Sequence, residues 1–359
     1  MKRVKKIIFA FVIACFVICA FAFLQRLVMP KYQTGIVEGS MIEEYYDEEV
    51  PHEVVFIGDC EVYENISTVR LYEKYGVSSY IRGSAQQLAW QSYYLLEDTL
   101  RYETPKVVVF NVLSLKYDTP QSEAYNRMTL DGMRWSKSKA KAVNASMTEG
   151  EHFVEYVFPL LRYHSRIFEL TEDDLAHLFS KDKVTHSGYY MRVDSKPEGE
   201  FPEPMPLRDY TLGENAMSYL DRMTELCREN GIVFVLMKAP TKYPHWYDEW
   251  DRQIVEYAAD NGLQYINFID MRDEVGLDMS VDTYDAGLHL NLSGAEKMAD
   301  FFGCWLTERF ELTDFRQDER VSGIWKEKSD YYYEMKQKQT SELEQYGELV
   351  SFGANAVKD

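Results

Sequence analysis

Residues Val107-Val108-Val109-Phe110-Asn111-Val112 form a short, nearly unbroken apolar run dominated by β-branched side chains. A run of this length without polar alternation predicts a strand covered on both faces, the environment of a parallel sheet. Val54–Ile57, entered from Glu53, has the same character. Ser79–Ile81, Ile232–Met237 and Tyr265–Phe268 complete a set of five. Helical patterning falls between and after them, over 61–75, 87–102, 213–230, 247–260 and 293–309, with Gly76, Gly231 and Gly262 as stops. Alternating strands and helices predict an α/β fold, a doubly wound and mostly parallel sheet of about five strands. The rhythm lapses once. Residues 116–212 are polar and aromatic, with helical pieces expected near 149–161 and 171–179 and a Pro-rich exit at 202–206, and they read as a large insertion forming a lid or substrate platform.

The amino terminus sets the compartment. Ile7 to Leu24 is an unbroken apolar run of eighteen residues behind Lys2, Arg3, Lys5 and Lys6. As a helix it spans about 27 Å, close to a bilayer core, and its basic flank should stay cytoplasmic and send the rest of the chain outside. A cleaved signal peptide is the rival, since Ala20-Phe21-Ala22 offers small residues at the required spacing. The run is long for a signal, which favours an uncleaved anchor. The expected organisation is an anchor over 1–24, an acidic connector over 25–50 acting as a spacer, one domain over 51–312 carrying the 116–212 insertion, and an extension over 313–359. A charged, Tyr-rich helix at 319–347 is expected to lie at the periphery, partly detached.

Charge narrows the partners. The formal net charge is −20, and the first 24 residues hold four of the 39 basic groups and none of the 59 acidic ones. So acidic an ectodomain excludes non-specific nucleic-acid binding. Of five cysteines, Cys15 and Cys19 lie in the apolar run, so Cys60, Cys227 and Cys304 cannot all pair with one another. Cys227 and Cys304 sit in helical patterns and are expected as small buried residues. Cys60 is placed differently: it follows Val54–Ile57 by way of Gly58-Asp59, at the carboxyl edge of the predicted sheet, where open α/β folds place their sites. A strand-to-helix position and a nearby histidine would lower its pKa.

Far downstream, Asp285-Ala286-Gly287-Leu288-His289-Leu290-Asn291 puts an acid and a histidine close together ahead of the helix starting at Ser293. His289 is the candidate base, and Asp285 or Asp282 the residue that orients it. An early nucleophile with acid and base together near the end differs from the order of the α/β-hydrolases.

Phe56-Ile57-Gly58-Asp59-Cys60 with the His289 segment resembles the SGNH/GDSL hydrolases, over roughly 53–113 and 231–309. With its basic-flanked anchor, the chain looks most like the membrane-anchored, extracytoplasmic members of Gram-positive bacteria, including those of teichoic-acid D-alanylation and those associated with membrane O-acyltransferases. The resemblance implies the flavodoxin-like form of the sheet and a catalytic set of Cys60, His289 and Asp285. Cys60 stands where the family has serine, Ala286 stands three residues before the histidine where it has the acid, and Asp285 lies four before. Gly83 matches the second motif as an oxyanion donor beside the Cys60 amide. The third motif is replaced, with Asn111 the best substitute for its side-chain amide and Ser114 the alternative; Gln86 could line the pocket. No metal or cofactor is expected. The implied function is acyl transfer to a cell-envelope glycan or polymer, with a multi-spanning membrane acyltransferase as a partner. A deacylating esterase of the same fold and a non-catalytic scaffold are the alternatives.

Overall fold

The computed structural model describes residues 2–33, 36–37, 39–179 and 183–352. Five strands, β1 (Val54–Gly58), β2 (Ser79–Gly83), β3 (Val107–Asn111), β4 (Val233–Lys238) and β5 (Gln264–Asn267), form one sheet in the order β2-β1-β3-β4-β5. Every neighbouring pair is parallel. Phe56 faces Ile81 on one side and Val109 on the other, so the three strands nearest the site start and end together. All five positions of each of those strands are buried, as continuous apolar runs require when helices cover both faces.

Among the helices that surround or extend from the sheet are α1 (Lys2–Val28), α2 (Thr68–Tyr75), α3 (Ala89–Thr99), α4 (Glu214–Glu229), α5 (Asp248–Asn261), α6 (Leu292–Arg309) and α7 (Glu319–Tyr346). Alternate strand residues split into two cores. Phe56, Val109 and Val235 pack with Leu71 of α2, Phe302 of α6 and Trp325 of α7. Ile57, Val108, Phe110 and Leu236 pack with Leu95 of α3, Leu220 of α4 and Ile254 of α5. The chain leaves β1 towards β2 and then returns past it to β3. That reversal makes a topological switch point at the carboxyl ends of β1 and β3, the place where open sheets of this order carry their ligands.

Several elements differ from the sequence reading. The single helix expected over 61–75 is two: a turn at Cys60–Tyr63, then α2, which starts afresh with Ser67 accepting the Arg70 N–H at 3.3 Å. Residues 25–50 are not merely a spacer, because Leu27, Val28, Met41, Ile42 and Tyr45 are buried against the domain. Helix α7 is not detached. Val321, Trp325 and Tyr332 are buried, and Trp325 stacks on Tyr72 with ring centroids 4.5 Å apart. Cys304 is exposed on α6 because its helical face points away from the sheet, whereas Cys227 is buried as expected. The insertion holds more helix than its polar composition suggested, at Glu123–Leu130, Lys137–Ser146, Phe153–Val157, Pro159–Tyr163 and Glu172–Ala176.

Helix α1 extends four residues beyond the apolar run, and its stretch Arg3–Val28 is long and apolar enough to cross a membrane.

Candidate active site

Asp59 and Cys60 stand directly beyond β1. Asp59 caps the turn, its Oδ1 accepting the Glu61 N–H at 3.2 Å, and Cys60 is the first residue of that turn, half-buried. A leading helical amide has no partner within its own helix. The Cys60 N–H therefore points free of the turn's own ladder. Gly83, at the end of β2 and opposite Gly58, comes so close that a Cβ there would lie 3.0 Å from Gly58 O and 3.4 Å from the Tyr63 ring. A side chain there would press on the Gly58 carbonyl and the Tyr63 ring beside the Cys60 turn.

His289 reaches the same edge from the loop before α6. Its Nδ1 lies 2.6 Å from Asp285 Oδ2, and its backbone N–H donates to Asp285 Oδ1 at 2.8 Å, so one carboxylate holds both ring and chain. The Cys60 sulfur and the His289 ring act on each other electrostatically, the ring pulling the thiol pKa down and the sulfur pulling the imidazole pKa up. The extra residue between acid and histidine is absorbed where Ala286 and Gly287 adopt φ of 67° and 99°, and the Gly287 N–H is fastened to Thr283 Oγ1 at 2.8 Å. Such angles suit glycine and cost Ala286 strain. Asp282 is fully buried and occupied elsewhere: it accepts from the Asp278 N–H, Ser293 Oγ and Lys297 Nζ at 2.8, 2.8 and 2.6 Å. It braces the loop and does not touch the imidazole.

A second carboxylate, which the sequence reading missed, faces the histidine. Glu64 is buried, with Oε2 3.7 Å from His289 Nδ1, and it accepts a hydrogen bond from the Tyr284 hydroxyl. Its spacing of four from Cys60 was the available signal, since residues four apart share a helical face. Burial alone would lower the His289 pKa, but Glu64, the Cys60 sulfur and Asp285 together hold it well above the ordinary histidine value. Burial pushes the Cys60 thiol up; His289 pulls it down, while Asp59 and Glu64 add to the rise. The expected low-pKa thiol is thus reversed. The helical turn behind Cys60 has only four residues and lends little dipole, and carboxylates crowd the sulfur.

Beneath the site lies a closed polar network. Glu61 accepts from Lys238 Nζ at 2.9 Å on both oxygens and from Thr241 Oγ1 at 2.6 Å. Lys238 also donates to the Ala239 and Thr241 carbonyls at 3.0 Å. Asn111 belongs to this network. Its Nδ2 donates to Asp59 Oδ1 at 3.1 Å and to Glu61 Oε2 at 3.0 Å, and its Oδ1 accepts the Ala239 N–H at 3.2 Å. Both amide protons are spent, so the structure gives Asn111 a bracing position and not the oxyanion-donating one expected. Ser114, the alternative, has a buried hydroxyl with no partner among the described residues. Gln86 is half-buried in a left-handed conformation, φ 51°, and its side chain makes no hydrogen bond among the described residues. Burial pushes Asp59 up to about 6, and neighbouring Glu61 adds to that.

Sheet order and site together define a doubly wound α/β protein of flavodoxin-like topology, with a cysteine, a histidine and an aspartate joined at its switch point. No family model and no curated protein sequence matches the chain. Among solved structures it is similar to a candidate acylhydrolase of Bacteroides fragilis, at 12% identity and a TM-score of 0.37, covering 74% of this chain and 94% of that one. It is also similar to a GDSL-like lipase of Bacteroides thetaiotaomicron, at 13% identity and a TM-score of 0.35, covering 76% and 100%.

Proposed function

We propose that this protein is an extracytoplasmic acyltransferase, held in the membrane by α1, that carries an acyl group as a thioester on Cys60 before passing it to a hydroxyl of a cell-envelope glycan or polymer. The observation that carries the reading is His289 held by Asp285, whose Oδ2 lies 2.6 Å from Nδ1, with the Cys60 sulfur close enough to act on the ring electrostatically. His289 takes the thiol proton as sulfur attacks the acyl carbonyl of a donor ester, and returns it to the departing alkoxide. In the second half the acceptor hydroxyl gives its proton to His289 as its oxygen displaces the thiol. The amides of Cys60 and Gly83 are the donors for the developing oxyanion. Asp285 fixes the imidazole tautomer throughout. A multi-spanning membrane acyltransferase suits the role of donor, because the thioester needs an acyl group already delivered across the bilayer.

Hydrolysis is the second reading. Cys60 is half-buried, not sealed, so water has a route to the thioester. Full-length protein treated with a p-nitrophenyl acyl ester and read by intact mass should gain one acyl group at Cys60, and C60A should gain none. Adding a soluble glycan should move the label to the glycan if transfer is the function, and leave it to water if hydrolysis is. No adduct, with ester cleavage equal in C60A, would sink both and leave a scaffold. Protease added to intact cells should digest the domain, and complete protection would refute the orientation.

A further inference from the structure

The insertion carries a surface that the proposed chemistry does not use. Phe158, Leu161, Ile167, Phe168, Leu175 and Phe179 are exposed, Phe168 by 92% and Phe179 by 82%. Large apolar side chains exposed together along one short segment mark a contact surface. Its place identifies what it contacts. The Leu160 N–H donates to Gln25 Oε1 at 2.6 Å, Arg166 Nη1 donates to Val28 O at 2.8 Å, and the Phe158 and Phe21 rings lie 5.9 Å apart. Phe21 belongs to the apolar run, three residues before its last residue, which is about 5 Å along the helix axis. A segment that touches Phe21 must stand at the apolar edge of any bilayer that α1 crosses.

We propose that residues 153–179 are an interfacial membrane element, whose exposed aromatic and aliphatic side chains enter the boundary between lipid headgroups and acyl chains. This rests on the reading of α1 as a retained anchor. Charge separates lipid burial from electrostatic adsorption. Residues 153–179 hold two arginines against five acids. Both arginines are engaged, Arg162 with Glu123 and Arg166 with Asp174. The element therefore binds through apolar burial, and anionic lipid adds nothing. Together with α1 it makes a two-point attachment, which fixes the tilt of the domain and the height of Cys60 above the membrane.

The test is quenching of an added tryptophan by acyl-chain-brominated phosphatidylcholine, in vesicles of that lipid holding the full-length protein. F168W and F179W change strongly exposed positions and should leave the melting temperature unaltered. The emission each adds over wild type should be largely lost, as should that of F16W within α1, whereas M205W, beside the start of α5, should be unaffected. Admixed phosphatidylglycerol should leave the quenching unchanged. If F16W is quenched but F168W and F179W are not, the inference fails while the anchor stands, and the patch belongs to an integral membrane protein partner. If none is quenched, the anchor reading fails and takes the inference with it.

Discussion

With Asp285 at 2.6 Å and Glu64 at 3.7 Å from the same His289 nitrogen, the imidazolium is favoured well above the ordinary histidine range, while burial raises the Cys60 thiol. Both shifts hold protons on the pair, and loss of the first of them frees His289 to take the thiol proton. The rate of iodoacetamide labelling of Cys60 should accordingly rise with pH to a midpoint above that of a free thiol, about 8.5. Removing a negative charge makes proton loss easier, so E64Q should move the midpoint down. A profile identical in wild type and E64Q would show that Glu64 has no electrical hold on the pair. The two aspartates should separate cleanly. D285N leaves the ring without its acceptor and should slow thioester formation on the order of 10²–10⁴-fold with the melting temperature intact. D282N instead loosens the loop it braces, lowering the melting temperature more than the rate. Reversal of those two effects would transfer the orienting role to Asp282.

At the level of elements, β1, β3 and β4 end in one network, and Lys238 is its only cation in direct contact with Glu61 among the described residues. A buried pair that loses one partner leaves a charge without compensation. K238M should therefore cost about 3–5 kcal/mol in denaturant unfolding, and K238M with E61Q should recover part of it. Equal stability of the single and double variants would mean the two residues are not coupled. This network also shows what could be read from the chain and what could not. Short apolar runs such as Val107–Val112 announce a two-sided parallel sheet on their own, and Gly58-Asp59-Cys60 follows one of them directly, so strand count, fold class and the place of Cys60 were legible. The pairing of Asp285 with His289 was legible from proximity in the chain. Glu61 and Lys238 are 177 residues apart, and nothing local tells that they meet. Asn111 is hidden for the same reason: its amide reads as available along the chain, and only the sheet order brings Asp59, Glu61 and Ala239 to it. Helix α7 was misjudged because scattered aromatic residues among charges conceal one buried stripe through Val321, Trp325 and Tyr332.

Across the whole molecule, the segment that leaves α1 is clamped to the domain by His52. The ring places Nδ1 3.0 Å from Glu103 Oε1 and Nε2 3.3 Å from Glu48 Oε2, and Lys328 of α7 closes on the same Glu48 oxygen. The segment after α1, the loop trailing α3 and helix α7 thus share one buried charge cluster. Burial alone would lower the His52 pKa, but the two glutamates raise it. Burial would likewise raise Glu48, yet His52 and Lys328 hold it down to about 2. The signs follow from which state binds the proton more tightly. A histidine raised in the folded state contributes stability that is complete below its unfolded value of about 6.5 and is lost as pH climbs through the folded value. Glu48 contributes above its unfolded value of 4.5 and loses that only as pH falls towards 2. The clamp is strongest between these limits, in mildly acidic solution. H52Q, which keeps a polar side chain but cannot become charged, should melt below wild type by the widest margin near pH 6, and the margin should narrow steadily as pH is raised. Melting of both proteins in detergent across that range decides it: a gap that stays constant or widens with pH would show that His52 is held neutral and that the cluster binds by hydrogen bonds alone.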